Sequence, residues 1–346
     1  MLKYPWRLRH SIKWSLIILG LLIVGLTGAN QAVLAESIVI DLSGEPGWTV
    51  NNLSMKDCTN SSTGLLSLTD KGRNVYRGLP GGLYIGGNDV PEKHLQIGLA
   101  ASQEIQPLDQ QGLPDASGKV VLLSVGMSNA KREFAAFMKL ARGQTDPEVV
   151  LVNGAQTGYD APRVADPNSD YWTKLDSGLH KRNISPLQVQ VIWIKEAMAN
   201  ETGTFPQNAQ GLQSYLRDIV LIIESRYPNV KSIYFSSRVY GGYATSGSPS
   251  PEPGAYEGGF AVQWLIDSQI DESDGDLAYD NTPWLAWGPY LWADGMNPRS
   301  DDLTWSCTDF ENDGTHPSAS GSFKVANMLL DFFNTDATTQ QWFPSD

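Results

Sequence analysis

The sequence predicts a three-layer α/β/α sandwich built around a five-stranded parallel sheet. Five short apolar runs, each bounded by polar residues or glycine, are typical of buried parallel strands, and helical patterns lie between several of them. The composition, 41% hydrophobic and 18% charged over 346 residues, is too apolar for a disordered chain. The predicted strands cover residues 120–125, 149–152, 189–194, 233–235 and 284–287.

Four helices are predicted between or after these strands, because apolar residues recur there at three- and four-residue spacing. Residues 131–142, for example, place Phe134, Phe137 and Met138 on one face. In a sheet of this kind, ligands bind beyond the carboxyl ends of the strands. The residues that directly follow each strand are therefore the candidates for a functional site. The other predicted helices cover residues 212–227, 260–270 and 323–333.

The N-terminus predicts export. Basic residues precede a nearly unbroken apolar run from Trp14 to Gly28, and small residues follow it at the positions that a signal peptidase reads. We expect cleavage after Ala35, with Ala29 as the second choice, so that residues 1–35 are a signal peptide and the mature protein is secreted, periplasmic or extracellular. An uncleaved membrane anchor is the alternative, but the run is shorter than the ~20 residues that a span needs.

Residues 36–117 are predicted to form an extension that packs on the main domain, residues 118–346. The extension is rich in Gly, Asn, Ser and Thr, which indicates loops and short strands. The sequence contains two cysteines, Cys58 and Cys307. In an oxidising compartment they can form a disulfide that ties the extension to the C-terminal region, and two thiols are the alternative.

The charge of the chain argues against a nucleic-acid partner. The formal net charge is −13 and is spread along the sequence, so the surface would repel polyanions such as nucleic acid. No membrane partner is expected once the signal peptide has been removed. Cys/His spacing typical of zinc is absent, and the acidic stretch 271–276 is not followed by the glutamate that an EF-hand loop requires. The sequence therefore predicts neither a metal nor a cofactor.

The first predicted strand runs directly into Ser128, within Gly-Met-Ser-Asn at residues 126–129, and a helix follows. A serine in such a strand-to-helix turn is held out of the sheet above the positive end of the helix. A backbone N–H in this turn can also face a developing oxyanion. Ser128 is therefore a candidate nucleophile, and a simple helix N-cap is the alternative.

The loop before the last predicted helix contains Asp313 and His316, within Asp-Gly-Thr-His-Pro at residues 313–317. A histidine that acts as general base needs a carboxylate to fix its tautomer and orientation, and an aspartate three residues earlier can reach the imidazole. Taken alone, this motif is as typical of a helix-capping turn as of a catalytic pair. Together with Ser128 it predicts a Ser-His-Asp triad.

Two further positions could stabilise an oxyanion beside the N–H of Ser128. Gly154 follows the second predicted strand, and its N–H is a candidate donor, with a plain turn as the alternative. Lys195 and Glu196 follow the third strand. The ammonium of Lys195 could donate to the oxyanion, and an ion pair that closes the end of the strand is the alternative.

The motifs around Ser128 and His316 resemble those of SGNH/GDSL hydrolases. Residues 126–129 are similar to the family's first block, closest to the Gly-Gln-Ser-Asn form of sialate O-acetylesterase-like carbohydrate esterases, and residues 313–317 resemble its Asp-x-x-His block. Gly154 falls where the family's oxyanion glycine is expected. The resemblance covers roughly residues 119–334. It implies a flavodoxin-like sheet and a metal-free ester hydrolase, often a deacetylase that acts on carbohydrate.

The family's third block is not matched. It reads Gly-x-Asn-Asp, or Gln-Gly-Glu in the sialate esterase-like group, whereas this chain has Lys195 and Glu196 and no Asn at the end of the third strand. Losing one oxyanion donor typically costs about 2.7–4 kcal/mol of transition-state stabilisation. Either Lys195 replaces that donor, or the enzyme is slow, or the chain is not an enzyme.

Residues of the loops after the strands are predicted to bind the substrate. Aromatic faces beside a cleft suit sugar rings, and an arginine in such a loop suits a substrate carboxylate. Packing in the core is the alternative for each aromatic residue. The predicted substrate-binding residues are Asn129, Arg238, Tyr240, Trp287 and Tyr290.

The sequence as a whole predicts a secreted serine esterase. Its substrate would be a small-molecule or glycan ester, cleaved through an acyl-enzyme on Ser128. The alternative is a secreted carbohydrate-binding or surface protein on the same fold with a silent triad. The absent third-block Asn and the aromatic loops motivate that alternative.

Overall fold

The computed structural model describes residues 55–72, 74–200, 203–245 and 249–345, all of which belong to one compact unit. The predicted signal peptide, residues 1–35, and the start of the predicted extension lie outside these ranges. Within them, none of the helices combines the length and the apolar character that a membrane crossing requires.

A five-stranded parallel sheet lies at the centre of the molecule and confirms the predicted fold class. Each of its strands matches its predicted range to within one residue at either end, because a short apolar run between polar residues has few other ways to be buried. A small antiparallel pair precedes the sheet. In chain order the strands are β1 (Val75–Tyr76) and β2 (Leu79–Pro80) in the pair, then β3 (Val120–Gly126), β4 (Val149–Asn153), β5 (Val189–Lys195), β6 (Ser232–Phe235) and β7 (Trp284–Trp287) in the sheet.

The spatial order of the sheet is β4-β3-β5-β6-β7, the order of flavodoxin-like sheets. The chain moves from β3 to β4 on one side and then crosses back to β5 on the other side of β3. Right-handed connections in opposite directions leave on opposite faces of the sheet, which opens a crevice at the carboxyl ends of β3 and β5. Gly126 and Lys195 are paired across these two ends.

Seven helices flank the described strands. α2 packs against α7, whereas α5 packs against α6 and α3, so the helices fall into two groups that cover the sheet. Each of the four predicted helices begins three to six residues earlier than its apolar pattern. The helices are α1 (Glu92–Gln103), α2 (Ser128–Leu140), α3 (Ala161–Val164), α4 (Asp170–His180), α5 (Gln207–Arg226), α6 (Gly254–Ile270) and α7 (Ala319–Thr335).

The predicted extension contains α1, which the expectation of loops and short strands missed. The buried side of α1 consists of His94, Gly98 and Ser102, small or polar residues that give no apolar periodicity. Gly98 allows the helix to approach the sheet closely, since an added Cβ would lie 2.5 Å from the ring of Trp284. The fully buried positions of α1 are therefore polar residues or glycine, which explains why the apolar pattern did not predict this helix.

The extension is also attached covalently. Cys58 and Cys307 form the predicted disulfide, with 5.4 Å between their Cα atoms, a separation typical of disulfides. The ammonium of Lys56 donates to the carbonyls of Cys307 and Phe310 at 2.7 and 2.6 Å. The start of the described chain is thereby held on the segment that leads to Asp313.

His94 is buried as a neutral imidazole beneath the sheet, and about 1% of its surface is exposed. Its Nε2 lies 2.8 Å from the carbonyl of Leu285, which can only accept, so Nε2 carries the proton. Nδ1 then accepts from the hydroxyl of Tyr279 at 2.7 Å and the indole of Trp284 at 3.2 Å. Burial lowers the pKa of His94 to about 4, although the carbonyl of Leu285 opposes the shift.

This burial predicts a loss of stability in acid. Below about pH 6.5 the unfolded chain protonates this histidine while the folded protein does not, so the free energy of unfolding should fall by about 3 kcal/mol between pH 6.5 and pH 4. Urea unfolding across this pH range measures the effect. His94→Gln, which cannot be protonated, should flatten the dependence, and equal slopes for the two proteins would contradict the assignment.

Candidate active site

Ser128 is the first residue of α2 and lies directly beyond the carboxyl end of β3. The turn that presents it requires Gly126. An added Cβ at Gly126 would lie 2.5 Å from the side chain of Ala130 and 2.6 Å from the carbonyl of Lys195. The N–H of Gly126 donates to the hydroxyl of Tyr171 at 3.3 Å. The sharp turn from strand to helix therefore depends on a glycine that β5 leaves no room to replace.

The N-terminus of α2 presents unused backbone donors. Met127 precedes the helix in an extended conformation and provides no side-chain cap. Within the described ranges, no protein acceptor is hydrogen-bonded to the N–H of Ser128. Free N–H groups and the helix dipole together favour an anion at this point. The turn can accordingly stabilise negative charge next to the hydroxyl of Ser128.

The structure brings the three predicted triad residues together. The Oγ of Ser128 lies 2.7 Å from Nε2 of His316, and Nδ1 of His316 lies 2.5 Å from Oδ2 of Asp313. Since the Asp313 carboxylate can only accept, the proton of the imidazole sits on Nδ1 and Nε2 accepts from the hydroxyl of Ser128. This is the tautomer that a general base needs.

The loop that carries His316 is shaped around the carboxylate of Asp313. Its Oδ1 accepts from the backbone N–H groups of Thr315 and His316, both at 2.9 Å. Gly314 has a φ of +66°, and an added Cβ would lie 2.1 Å from the carbonyl of Tyr243. Burial alone would raise the pKa of Asp313, but the hydrogen bonds from His316 and Thr315 outweigh it, and the net shift is downward. The carboxylate stays ionised beside the imidazole.

The triad is accessible from outside. The side chain of Asp313 is 44% exposed and that of His316 is 26% exposed. The imidazole and the carboxylate of the triad are therefore partly open to solvent.

Asn129 does not face this opening. Only about 1% of its surface is exposed, and its Nδ2 donates to the carbonyl of Thr315 at 2.9 Å. The prediction that Asn129 contacts the substrate is therefore wrong. Its amide links the helix that bears Ser128 to the loop that bears His316.

The prediction that the N–H of Gly154 donates to an oxyanion is also wrong. That group donates to the carbonyl of Ser124 at 3.1 Å and lies 3.2 Å from the Ser124 hydroxyl, so it extends the ladder between β3 and β4. The glycine itself is needed for close packing, because an added Cβ would lie 2.6 Å from the same carbonyl. The sequence located the tight turn correctly but assigned its N–H to the wrong acceptor.

Lys195 forms an ion pair that is hidden from water. Its ammonium lies 2.6 and 2.7 Å from the two carboxylate oxygens of Glu133 on α2, and both side chains are at most 1% exposed. Burial lowers the pKa of Lys195, and the charge of Glu133 opposes the shift. Glu133 uses two of the three ammonium protons, and no other acceptor within the described residues takes the third. An oxyanion role for Lys195 stays a prediction.

Two further charged residues lie in the interior at this end of the sheet. Glu196 is about 5% exposed, its Oε1 has no hydrogen-bond partner within the described residues, and burial raises its pKa well above the ordinary value. Arg238 is about 3% exposed, and its Nη1 lies 3.9 Å from the sulfur of Met127. A contact between Arg238 and a substrate carboxylate stays a prediction, although the side chain lies next to the nucleophile's turn.

The three aromatic residues predicted to bind a sugar belong to the core, each at most 5% exposed. Tyr240 donates to the carbonyl of Asn60 at 2.8 Å, and the indole of Trp287 donates to the carbonyl of Leu83 at 2.6 Å. The hydroxyl of Tyr290 accepts from a backbone N–H of the same extension. Their substrate-binding assignment is wrong, because the extension covers them.

Two residues that shape the site were not predicted. Glu133 lies within the buried stripe of α2, between Ala130 and Phe134, and an acidic residue in that stripe indicates a buried cation partner. Tyr171 anchors the Gly126 turn through its hydroxyl from a distant helix, and no local sequence signal marks that contact.

A cavity of about 690 Å³ opens between the loops that follow β5 and β6. Its lining includes Phe205, Glu252 and Glu257. The two loops are joined where the hydroxyl of Ser250 donates to the carbonyl of Met198 at 2.6 Å. None of Ser128, Asp313 and His316 lines this cavity.

Comparison with known proteins gives weak similarities. No family model matches the chain, and no curated protein matches it. Among solved structures, the chain is similar to a Bacteroides fragilis protein provisionally described as an acylhydrolase. The identity is 12%, the TM-score is 0.37, and the match covers 70% of this chain and 97% of that chain. The catalytic domain of peptidoglycan O-acetyltransferase A from Streptococcus pneumoniae gives 13% identity, a TM-score of 0.34 and coverage of 66% and 99%.

A third similarity is to the periplasmic domain of a lipopolysaccharide acetyltransferase from Salmonella Paratyphi A. It has 12% identity, a TM-score of 0.33 and coverage of 72% of this chain and 98% of that chain. Because the identities and TM-scores are this low, the functional assignment depends on the residues of the site and not on these structures.

The buried pair predicts a large and specific loss of stability. Glu133→Ala leaves the ammonium of Lys195 buried without its partner and should lower the free energy of unfolding by about 3–5 kcal/mol. The double variant Glu133→Leu/Lys195→Met should recover most of that loss, since neither charge remains. Urea unfolding measures both.

The exposed pair between Asp170 and Lys174 on α4 provides the matched control, because both side chains are more than half exposed. Asp170→Ala should lower the free energy of unfolding far less than Glu133→Ala does, because water screens an exposed pair. If Glu133→Ala and Asp170→Ala lower the free energy of unfolding by similar amounts, the buried pair stabilises the fold no more than the exposed pair does.

Proposed function

We propose that this protein is a secreted serine ester hydrolase that works through Ser128, His316 and Asp313. One observation carries the proposal: a hydroxyl at the carboxyl end of β3 is hydrogen-bonded to an imidazole whose other nitrogen is held by a carboxylate. The turn at Ser128 and the loop at His316 also resemble the corresponding blocks of SGNH hydrolases. Two independent motifs that meet at hydrogen-bond distance favour chemistry over two unrelated capping turns.

In the proposed reaction, Nε2 of His316 takes the proton of Ser128 as the oxygen attacks the ester carbonyl carbon. The tetrahedral intermediate collapses when the bond to the alcohol oxygen breaks, and the imidazolium returns its proton to that oxygen. A water molecule, deprotonated by His316, then attacks the acyl-enzyme and releases the acid and free Ser128. The ionised Asp313 stabilises the imidazolium in both halves of the reaction.

The oxyanion would be held at the N-terminus of α2. The N–H of Ser128 is available there, and the helix dipole adds to its effect. We propose the third N–H of Lys195 as the second donor, because Lys195 is paired with Gly126 across β5 and β3 and Glu133 uses two of its three ammonium protons. Lys195 would then replace the missing third-block Asn, and its ammonium would be held in place by Glu133.

The proposed substrate is a small-molecule or glycan ester, with an acetylated carbohydrate as the first choice. The resemblance to sialate O-acetylesterase-like enzymes supports a carbohydrate. The aromatic residues Tyr240, Trp287 and Tyr290 do not support a carbohydrate substrate, because the extension covers them. The disulfide and the predicted signal peptide support an oxidising compartment outside the cytoplasm.

The proposal predicts that removing any member of the triad abolishes turnover. Hydrolysis of p-nitrophenyl acetate and of acetylated glycans should fall by at least about 10³-fold in Ser128→Ala and in His316→Ala, with little change in thermal stability. Ser177→Ala, an exposed serine on α4, is the matched control and should keep full activity. Turnover that survives in Ser128→Ala would assign the activity to another group.

The same assays test the non-catalytic alternative. A silent triad on a carbohydrate-binding protein would give glycan binding without product, unchanged by His316→Ala. Release of acetate that depends on both Ser128 and His316 excludes it.

A further inference from the structure

Two side chains of α2, both just after Ser128, donate hydrogen bonds to the loop that carries His316. Nδ2 of Asn129 donates to the carbonyl of Thr315 at 2.9 Å, and Nη1 of Arg132 donates to the carbonyl of Pro317 at 3.2 Å. Asn129 and Arg132 are three residues apart, so they lie on one face of the helix. The two carbonyls that they hold belong to the residues immediately before and after His316.

The loop has its own internal hydrogen bonds, which fix its shape. The N–H of Glu311 donates to the carbonyl of His316 at 2.8 Å, and the carboxylate of Asp313 holds the N–H groups of Thr315 and His316. None of these internal bonds fixes the position of the loop relative to Ser128. The bonds from Asn129 and Arg132 fix that position, because they join the loop to the helix whose first residue is Ser128.

The bond from Asn129 is the better protected of the two. About 1% of Asn129 is exposed, so water does not compete for the carbonyl of Thr315. The side chain of Arg132 is 45% exposed and also lies 3.4 Å from the carboxylate of Glu311, at a surface where ion pairs and hydrogen bonds are weak. Asn129 should therefore carry most of the effect.

Stability alone does not explain an asparagine at this position. Its Oδ1 is buried without a hydrogen-bond partner within the described residues, and so is the hydroxyl of Thr315. An unsatisfied buried oxygen costs desolvation free energy that an apolar residue of the same shape would avoid. The donor to Thr315 is the one interaction that leucine at residue 129 could not reproduce.

We propose that Asn129 and Arg132 are positioning residues that hold the carbonyl groups on both sides of His316 and so keep its imidazole within hydrogen-bond distance of Ser128. This inference rests on the proposed function, since it assigns a role in the same triad. Neither side chain touches the reacting atoms. Their effect is transmitted through the backbone of the loop.

The test is Asn129→Leu, which keeps the volume of the side chain but removes both the donor and the unsatisfied oxygen. Positioning predicts that kcat for p-nitrophenyl acetate falls by about 10- to 100-fold while KM changes less than about 2-fold. The melting temperature should change little, because removing the unsatisfied Oδ1 of Asn129 stabilises the fold while the buried carbonyl of Thr315 loses its donor. A purely structural role predicts the reverse: a lower melting temperature and an unchanged kcat.

Arg132→Ala should lower kcat by a smaller factor, about 2- to 5-fold given its exposure, and Arg132→Lys should restore part of the loss because lysine can also donate to a carbonyl. Lys131→Ala is the control on the same turn of the helix. Its side chain is exposed, and activity should be unaffected. Equal kcat values for wild type, Asn129→Leu and Lys131→Ala would overturn the proposal.

A crystal structure of Asn129→Leu separates this inference from the proposed function. Positioning predicts that the distance between Oγ of Ser128 and Nε2 of His316 increases beyond hydrogen-bond range. If that distance increases but wild type and Ser128→Ala are equally active on esters, the proposed function fails and the positioning role stands. If the distance is unchanged, the positioning role fails whatever the activity.

Discussion

The hydrogen bond between Ser128 and His316 is the interaction on which the functional account depends. It joins two segments that are 188 residues apart and that leave different parts of the fold. At 2.7 Å, an imidazole can deprotonate the hydroxyl, but a displacement of about 1 Å would remove most of that ability. The surrounding structure can be understood as a set of constraints on this one distance.

These constraints include a buried ion pair, a glycine turn and a disulfide. The pair of Lys195 and Glu133 connects the end of β5 to α2, and Gly126 allows β3 to turn sharply beside it. On the other side, the disulfide of Cys58 and Cys307 and the contacts of Lys56 hold the chain that leads into the His316 loop. The low exposure of Lys195 and Glu133 matters because charges that water cannot reach keep a fixed geometry.

The sheet and the triad were predictable from sequence because both leave local patterns: apolar runs for strands, and a serine or an Asp-x-x-His motif at the end of an element. The N–H of Gly154 and the buried positions of Tyr240, Trp287 and Tyr290 were not. Their roles are decided by neighbours that lie far away in the sequence, namely Ser124 on β3 and the extension at Asn60, Leu68 and Leu83. The same holds for α1, whose small buried residues give no helical signal.

The most direct test of the account is the reactivity of Ser128 towards a fluorophosphonate, which modifies only serines activated by a neighbouring base. The purified protein would be treated with the probe, digested and analysed by peptide mass spectrometry. If His316 activates Ser128, one adduct should form on the peptide that contains Ser128, and it should be lost in His316→Ala. An unmodified Ser128 in folded protein, or labelling that persists without the imidazole, would contradict this activation.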